Sequence, residues 1–244
     1  MLSRIVKDPS LVETTLFTCV QLKIDDFEIM LLRVLTILLL SNMNLSHAND
    51  INNSSPLENT IIILGDSLSA AYGIELEQGW VNLLRHRLKD HNKNNSWNVV
   101  NASISGDTTA GGLARLANLL NKYKPVLCII ALGANNGLRG QSLKLMRDEL
   151  NEMVRQCNSI GSSLLIGIKL PPNYGEKYTQ AFHNIYSDVA KQHHIPLVPF
   201  LLDGIALQDK FFQQDRLHPT AEAQPIILDN VWPVLEETLS NLSK

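Results

Sequence analysis

Thr60-Ile61-Ile62-Ile63-Leu64-Gly65-Asp66-Ser67-Leu68-Ser69 is the stretch on which the rest of the chain is organised. An apolar run rich in β-branched residues closes abruptly on Gly-Asp-Ser, the pattern of a strand buried on both faces of a parallel sheet. In an open α/β sheet, ligands bind beyond the carboxyl ends of the strands, so Ser67 is placed at the edge of a crevice. A serine there is a candidate nucleophile if a base can reach it. The ordinary alternative is that Asp66 or Ser67 caps the next helix, and the stretch by itself favours capping.

Downstream, apolar runs alternate with helical patterns. Trp80, Leu83, Leu84 and Leu88 follow helical spacing, with Arg85, Arg87 and Lys89 towards the end that favours cations. Trp97–Ser103 reads as a second strand, followed by the loop Ser105–Thr109 and a helix marked by Leu113, Leu116, Leu119 and Leu120. Pro125 ends that helix. Val126–Leu132 is the third strand, and Gly133-Ala134-Asn135-Asn136-Gly137 is a cluster of loop formers. A helix over 141–160, a strand over Ser163–Ile168, the loop Leu170–Gly175 and a helix over about 177–193 follow. Ile195–Phe200 is a short fifth strand whose prolines suit a sheet edge, and a helix from about 220 to 240 closes the chain. This alternation, without internal repeats or a linker, predicts one α/β domain over 60–244 with helices on both faces of a parallel sheet. Five strands fit the flavodoxin-like order 2-1-3-4-5, which opens the loops after strands one, two and three on one rim.

Apolar content of 45% and charged content of 18% are ordinary for a domain with a sizeable core. A formal net charge of −3 without a basic tract argues against nucleic acid as a partner. Met30-Leu31-Leu32-Arg33, the apolar block Val34–Leu40 and the small residues of Ser46-His47-Ala48 have the layout of a secretory signal peptide over 30–48. The block is too short to span a bilayer, so no permanent membrane anchor is expected. Residues 1–29 carry mixed charges without a sustained period and read as an upstream extension from a start codon assigned too early. Residues 49–59 read as a flexible polar leader. Cys128 and Cys157 remain in the domain, and the preferred reading is buried thiols, since spacing cannot show the proximity a disulfide needs.

A serine hydrolase needs a hydroxyl, a base, a group that orients the base, and donors for an oxyanion. Ser67 is the candidate hydroxyl. Of the 7 histidines, His86 and His91 lie on or just after a polar helix, and His193 and His194 end another. His183 falls mid-helix and reads as a surface or packing residue. His218 differs, because it follows Asp215 in a polar loop and precedes Pro219, which can start a helix. A loop that short can fold a carboxylate back on an imidazole and fix its tautomer, although a capped turn explains the motif equally well. The backbone N–H groups of Gly106 and Ser67 and the Asn135 amide are candidate oxyanion donors. No nucleotide-binding glycine motif follows strand one, and no paired Cys/His metal spacing is present. The order Ser67, Asp215, His218 matches the α/β-hydrolases, but the serine follows the first strand and the acid lies only three residues from the base, which argues against that fold.

Gly65-Asp66-Ser67-Leu68-Ser69, Gly106 in Ser105–Thr108, Asn135 in Gly133-Ala134-Asn135, and Asp215-x-x-His218-Pro219 resemble the four blocks of the GDSL/SGNH hydrolase family. Within it, Asn101–Thr108, Gly137–Gly140 and Leu170–Gly175 are similar to the branch of periplasmic multifunctional thioesterases, lysophospholipases and arylesterases. The resemblance implies a three-layer α/β/α fold and hydrolysis of acyl esters and thioesters through an acyl-serine. It implies Ser67 as nucleophile, His218 as base and then acid, and Asp215 as its orienter, with Ser67, Gly106 and Asn135 as the oxyanion hole. It also implies a mobile Gly137–Gly140 segment over the acyl chain. Leu138, Arg139, Leu170, Pro171 and Tyr174 would contact substrate, without a metal or organic cofactor. One departure is visible: the family usually has aspartate where this chain has Asn136, which keeps an acceptor oxygen and loses the charge. The expected partners are small acyl esters and thioesters and the expected state is a monomer. A carbohydrate O-deacetylase of the same fold and a catalytically silent lipid-binding protein are the alternatives.

Overall fold

The computed structural model describes residues 59–91 and 97–242. The expected upstream extension, signal segment and leader, up to residue 58, lie outside the described residues.

Five parallel strands form one sheet in the order β2-β1-β3-β4-β5. They are β1 (Thr60–Gly65), β2 (Asn98–Asn101), β3 (Leu127–Ala131), β4 (Ser162–Ile166) and β5 (Leu197–Val198). β1 lies between β2 and β3, with Ile61 opposite Val99 on one side and Leu127 on the other. Ile61, Ile62, Ile63 and Leu64 are all fully buried, which is why the run is continuously apolar. Burying each such side chain contributes about 1.5–3 kcal/mol, so β1 anchors whatever is attached to its end.

The helices are α1 (Trp80–His91), α2 (Thr109–Tyr123), α3 (Ala134–Leu138), α4 (Leu143–Asn158), α5 (Glu176–His193) and α6 (Gln224–Leu242). They pack in two groups on the two sides of the sheet, α1 with α6, and α2 with α4 and α5. Thr108 and Ser142 cap the starts of α2 and α4, accepting from the N–H groups of Gly111 and Leu145. Lys124 and His194 end α2 and α5 in the left-handed conformation.

Two expectations need correction. The loop formers after β3 build the short helix α3. Gly133, at φ 120°, takes the sharp turn out of the strand, and the Arg139 N–H closes the helix end by donating to the Asn135 carbonyl. The fifth strand keeps only two residues, because Pro196 and Pro199 flank it and cannot donate to the ladder. The last helix opens as a 3₁₀ turn, Ala221–Ala223, before α6. Cys128 and Cys157 are buried free thiols. Among the described residues no helix is long and apolar enough to cross a membrane.

Candidate active site

Ser67 sits in the turn that leaves β1. Gly65 makes that turn possible by close packing, since a Cβ there would meet Ser103 Oγ and Ser69 Cβ at 2.8 Å. The chain folds over at once, with Ser69 and Ala70 donating to the Asp66 carbonyl. Ser67 caps no helix: α1 begins only at Trp80, and the hydroxyl turns to His218, donating to Nε2 at 2.9 Å.

His218 reaches that position because residues 211–220 form a closed loop. Phe212 and Pro219 pair as an isolated antiparallel bridge, the Gln213 N–H donates to the His218 carbonyl at 2.8 Å, and the Thr220 N–H donates to the Phe211 carbonyl at 2.8 Å. Asp215 lies at the tip. Its Oδ1 accepts the N–H groups of Leu217 and His218 at 2.9 and 3.0 Å, and its Oδ2 accepts from His218 Nδ1 at 2.6 Å. The hydrogen bond from the imidazole holds the Asp215 carboxyl down to about 2. A relay of acceptor, imidazole and hydroxyl thus runs Asp215–His218–Ser67, the arrangement that lets a serine lose its proton to a base.

Further contacts fix the imidazole. The Tyr72 ring packs against it with centroids 4.3 Å apart. Gln213 ties the two loops together, its Nε2 donating to the carbonyls of Tyr72 at 2.8 Å and Pro219 at 3.0 Å. Ala71, just before Tyr72, is held at φ 57°, a region most side chains avoid.

Asn135, in α3, and Gly106, in the loop after β2, come to the same rim. The Ala102 and Ile104 N–H groups donate to Ile63 and Gly65, which draws the Gly106 loop alongside the Ser67 turn. Gly106 has φ 79°, which suits glycine. Asn135 Nδ2 donates to the Asp107 carbonyl at 2.9 Å, with Asp66 Oδ2 at 3.5 Å on its other side. Arg115 steadies the loop by donating through Nε and Nη2 to Asp107 Oδ2, at 3.0 and 2.7 Å.

Ser67, Gly106, Asn135 and His218 open on one cleft of about 820 Å³. Of the residues expected to contact substrate, Leu138, Leu170 and Pro171 line it, and Arg139 and Tyr174 are not among its lining. Arg139 instead braces the rim, with Nη2 donating to the Gly106 carbonyl at 3.0 Å and to Asn135 Oδ1 at 3.4 Å. The Tyr174 hydroxyl donates to the Leu138 carbonyl, and that of Tyr178 to Gly137, tying the end of α3 to the 170–178 segment. Of the Gly137–Gly140 segment expected over the acyl chain, Gly137 and Leu138 are the last residues of α3, and Arg139 and Gly140 form the turn after it. Among the described residues, no group of three or more His, Cys, Asp or Glu is placed to hold a metal ion. Three other histidines have local partners: His183 contacts the Ile168 carbonyl, His193 meets Asn151 and His86 meets Asn82.

Several contributors lie beyond the sequence expectations. Phe200, Leu202 and Leu207 form an apolar wall on the segment after β5, and Tyr72, Arg216 and Leu217 line the opening beside His218. The available signal was an unexplained run of apolar residues, Phe200-Leu201-Leu202, at the carboxyl end of a strand. Asp66, only 1% exposed, accepts the Leu68 N–H at 3.1 Å, and burial pushes its carboxyl up to about 6. Asn136 is buried too. Its Oδ1 accepts the Thr109 N–H at 3.0 Å, and its Nδ2 donates to Thr109 Oγ1 at 2.8 Å and Gln141 Oε1 at 3.0 Å.

Comparisons with known proteins point to one family. The profile of the GDSL-like Lipase/Acylhydrolase family matches residues 63–225. Esterase TesA of Pseudomonas aeruginosa is 48% identical over 181 residues, covering 74% of this chain and 89% of its own. Thioesterase 1/protease 1/lysophospholipase L1 of Escherichia coli K12 is 40% identical over 171 residues, covering 70% and 80%. Among solved structures, TesA superposes with a TM-score of 0.71 at 48% identity, over 73% of this chain and 99% of that one. The psychrotrophic esterase EstA from Pseudoalteromonas, inhibited by monoethylphosphonate, gives 0.70 at 38% identity, over 75% and 100%.

Proposed function

The chain belongs to the GDSL-like lipase/acylhydrolase family and is an ester-hydrolysing enzyme, and from that premise we propose that Ser67, His218 and Asp215 hydrolyse acyl esters and thioesters through an acyl-serine. The single observation that carries the assignment is the hydrogen-bonded relay, 2.6 Å from Asp215 to His218 and 2.9 Å from His218 to Ser67, at the mouth of the cleft. Ser67 Oγ attacks the acyl carbonyl carbon as its proton passes to His218 Nε2. The carbonyl π bond becomes an oxyanion, held by the N–H groups of Ser67 and Gly106 and the amide of Asn135. When the C–O or C–S bond breaks, the imidazolium returns the proton to the alcohol or thiol. Water, deprotonated by the same imidazole, then attacks the acyl-serine, and as the acyl–Oγ bond breaks the imidazolium returns that proton to Ser67 Oγ, releasing the carboxylic acid and restoring the free enzyme.

The walls favour an acyl chain over acetate. Leu138, Ile168, Leu170, Phe200 and Leu202 are among the residues that line the cleft, and this apolar lining supports a longer acyl chain over the O-deacetylase alternative. The enzyme would work as a monomer in the periplasm, after removal of the signal segment over 30–48. The sequence layout supports that location, and N-terminal sequencing of exported protein tests it.

Ser67→Ala tests the chemistry. It should lower kcat for p-nitrophenyl esters on the order of 10⁶-fold if the three residues act as a unit, and a fluorophosphonate should label wild type stoichiometrically at Ser67. Near-normal turnover by the variant would refute the assignment, and failure of wild type to be labelled would favour a silent lipid-binding protein.

A further inference from the structure

On that reading, the acyl chain follows the apolar wall and the leaving group occupies the side of the cleft where His218 can return a proton to it. Tyr72, whose ring packs on the imidazole, and Arg216 and Leu217, which precede His218 in its loop, all line the cleft. Arg216 has φ 55°, in the left-handed region that glycine enters freely and other residues rarely adopt. Its backbone N–H closes the turn by donating to the Gln213 carbonyl at 2.9 Å. The turn asks nothing of the side chain. Yet Arg216 is exposed and is among the residues that line the cleft, and among the described residues its guanidinium has no hydrogen bond, ion pair or ring partner.

The neighbouring charges are otherwise engaged. Arg139 is bound to Gly106 and Asn135, and Lys169 lies over the Phe200 ring, 4.8 Å from its centroid. Asp215, adjacent in sequence, directs both carboxylate oxygens into its own loop. Asp203 is the carboxylate that lines the cleft. An uncommitted guanidinium beside the leaving group is a donor fork suited to a phosphate.

We propose that Arg216 binds a phosphate carried by the leaving group, so that this enzyme prefers acyl esters of phosphate-bearing glycerol over neutral ones. One glycerol unit separates the ester oxygen from the phosphate in such a substrate, a span an arginine beside His218 can cover. In an acyl-CoA the pantetheine arm carries the first phosphate well beyond it.

The test compares wild type, Arg216→Gly and Arg216→Lys on 1-octanoylglycerol 3-phosphate, 1-octanoylglycerol and octanoyl-CoA, all kept monomeric. Glycine suits the backbone at this position, so the fold is retained, and a melting curve verifies it. Arg216→Gly should lose about tenfold in kcat/KM on the phosphate ester, mainly through KM, and change little on the neutral ester. Arg216→Lys should keep part of the preference. Salt at about 0.5 M should erode the preference in wild type and leave Arg216→Gly unaffected. An unchanged phosphate-to-neutral ratio in Arg216→Gly, or an equal loss on both glycerol esters, would overturn the proposal. A loss confined to octanoyl-CoA would assign the contact to a nucleotide phosphate and overturn the glycerol phosphate assignment. Absence of wild-type turnover on all three substrates would count against the esterase reading itself, a separate result.

Discussion

Replacing Asp66 by asparagine should change how stability depends on pH. Asp66 is 1% exposed, and burial raises its carboxyl from the ordinary 3.8 to about 6 in the folded state, against lesser opposing effects of the Leu68 N–H and of His218. A folded value above the unfolded one means that the native state holds the proton more tightly. The stabilising contribution is therefore complete below about pH 4 and is lost as pH rises through about 6. A shift of about two units at about 1.4 kcal/mol each puts the loss at about 3 kcal/mol. An asparagine side chain in its place would keep an oxygen for the Leu68 N–H and carry no charge at any pH. Urea unfolding followed by tryptophan fluorescence, at half-unit steps from pH 4 to 8, would give the difference between wild type and Asp66→Asn. That difference should move in favour of the variant by about 3 kcal/mol between pH 4 and 7 and then level off. Parallel curves, with a difference flat to about 0.5 kcal/mol, would refute the reasoning and show that nearby donors repay the charge for its burial.

Other expectations follow from single contacts. Gln213→Ala removes the donor to Tyr72 and Pro219 and should lower kcat more than it raises KM, with about 1 kcal/mol lost in urea unfolding. Asn136→Asp places a carboxylate in the buried position that now donates to Thr109 and Gln141, close to Glu149, whose Oε2 accepts from Thr109 Oγ1. It should destabilise by about 1–3 kcal/mol at neutral pH, with a smaller deficit at pH 5 in the same unfolding assay. Gly133→Ala would drive a Cβ to 2.3 Å from the Tyr186 hydroxyl and 2.6 Å from Met146 Cε, at φ 120°. It should cost on the order of 3 kcal/mol and lower the melting temperature by several degrees.

The parts of the molecule legible in its sequence are those where burial leaves one option. Ile61–Leu64 could only be a central strand, because no polar residue interrupts the run. Its neighbours followed from the alternation of apolar runs with helical spacing, and the sheet order from that. Ser67, Asp215 and His218 stood out as a hydroxyl, a carboxylate and an imidazole at loop positions, and the structure brings them into hydrogen-bonding contact. Direction was harder to read. Arg139 belongs to the right segment, but its guanidinium points along the rim to Gly106 and Asn135 instead of into the cleft. Nothing in a run such as Gly133–Gly137 distinguishes a loop from one helical turn, since the decision rests on where Gly133 redirects the strand and on bonds to distant residues. The wall from Phe200 to Leu217 had no period to betray it, because turns carry none.

That wall also separates two jobs within one molecule. Ser67, the proposed nucleophile, sits in the turn that leaves β1, whose burial makes any change there costly, whereas Phe200, Leu202, Leu207 and Arg216 lie outside the strands and long helices. Substitutions along the wall can reshape which molecules are accepted while leaving the bond-breaking apparatus intact. In evolutionary terms the catalyst is inherited and the diet is negotiable. Divergence among relatives should therefore accumulate along this rim faster than along β1, and an engineer seeking new substrates would begin there.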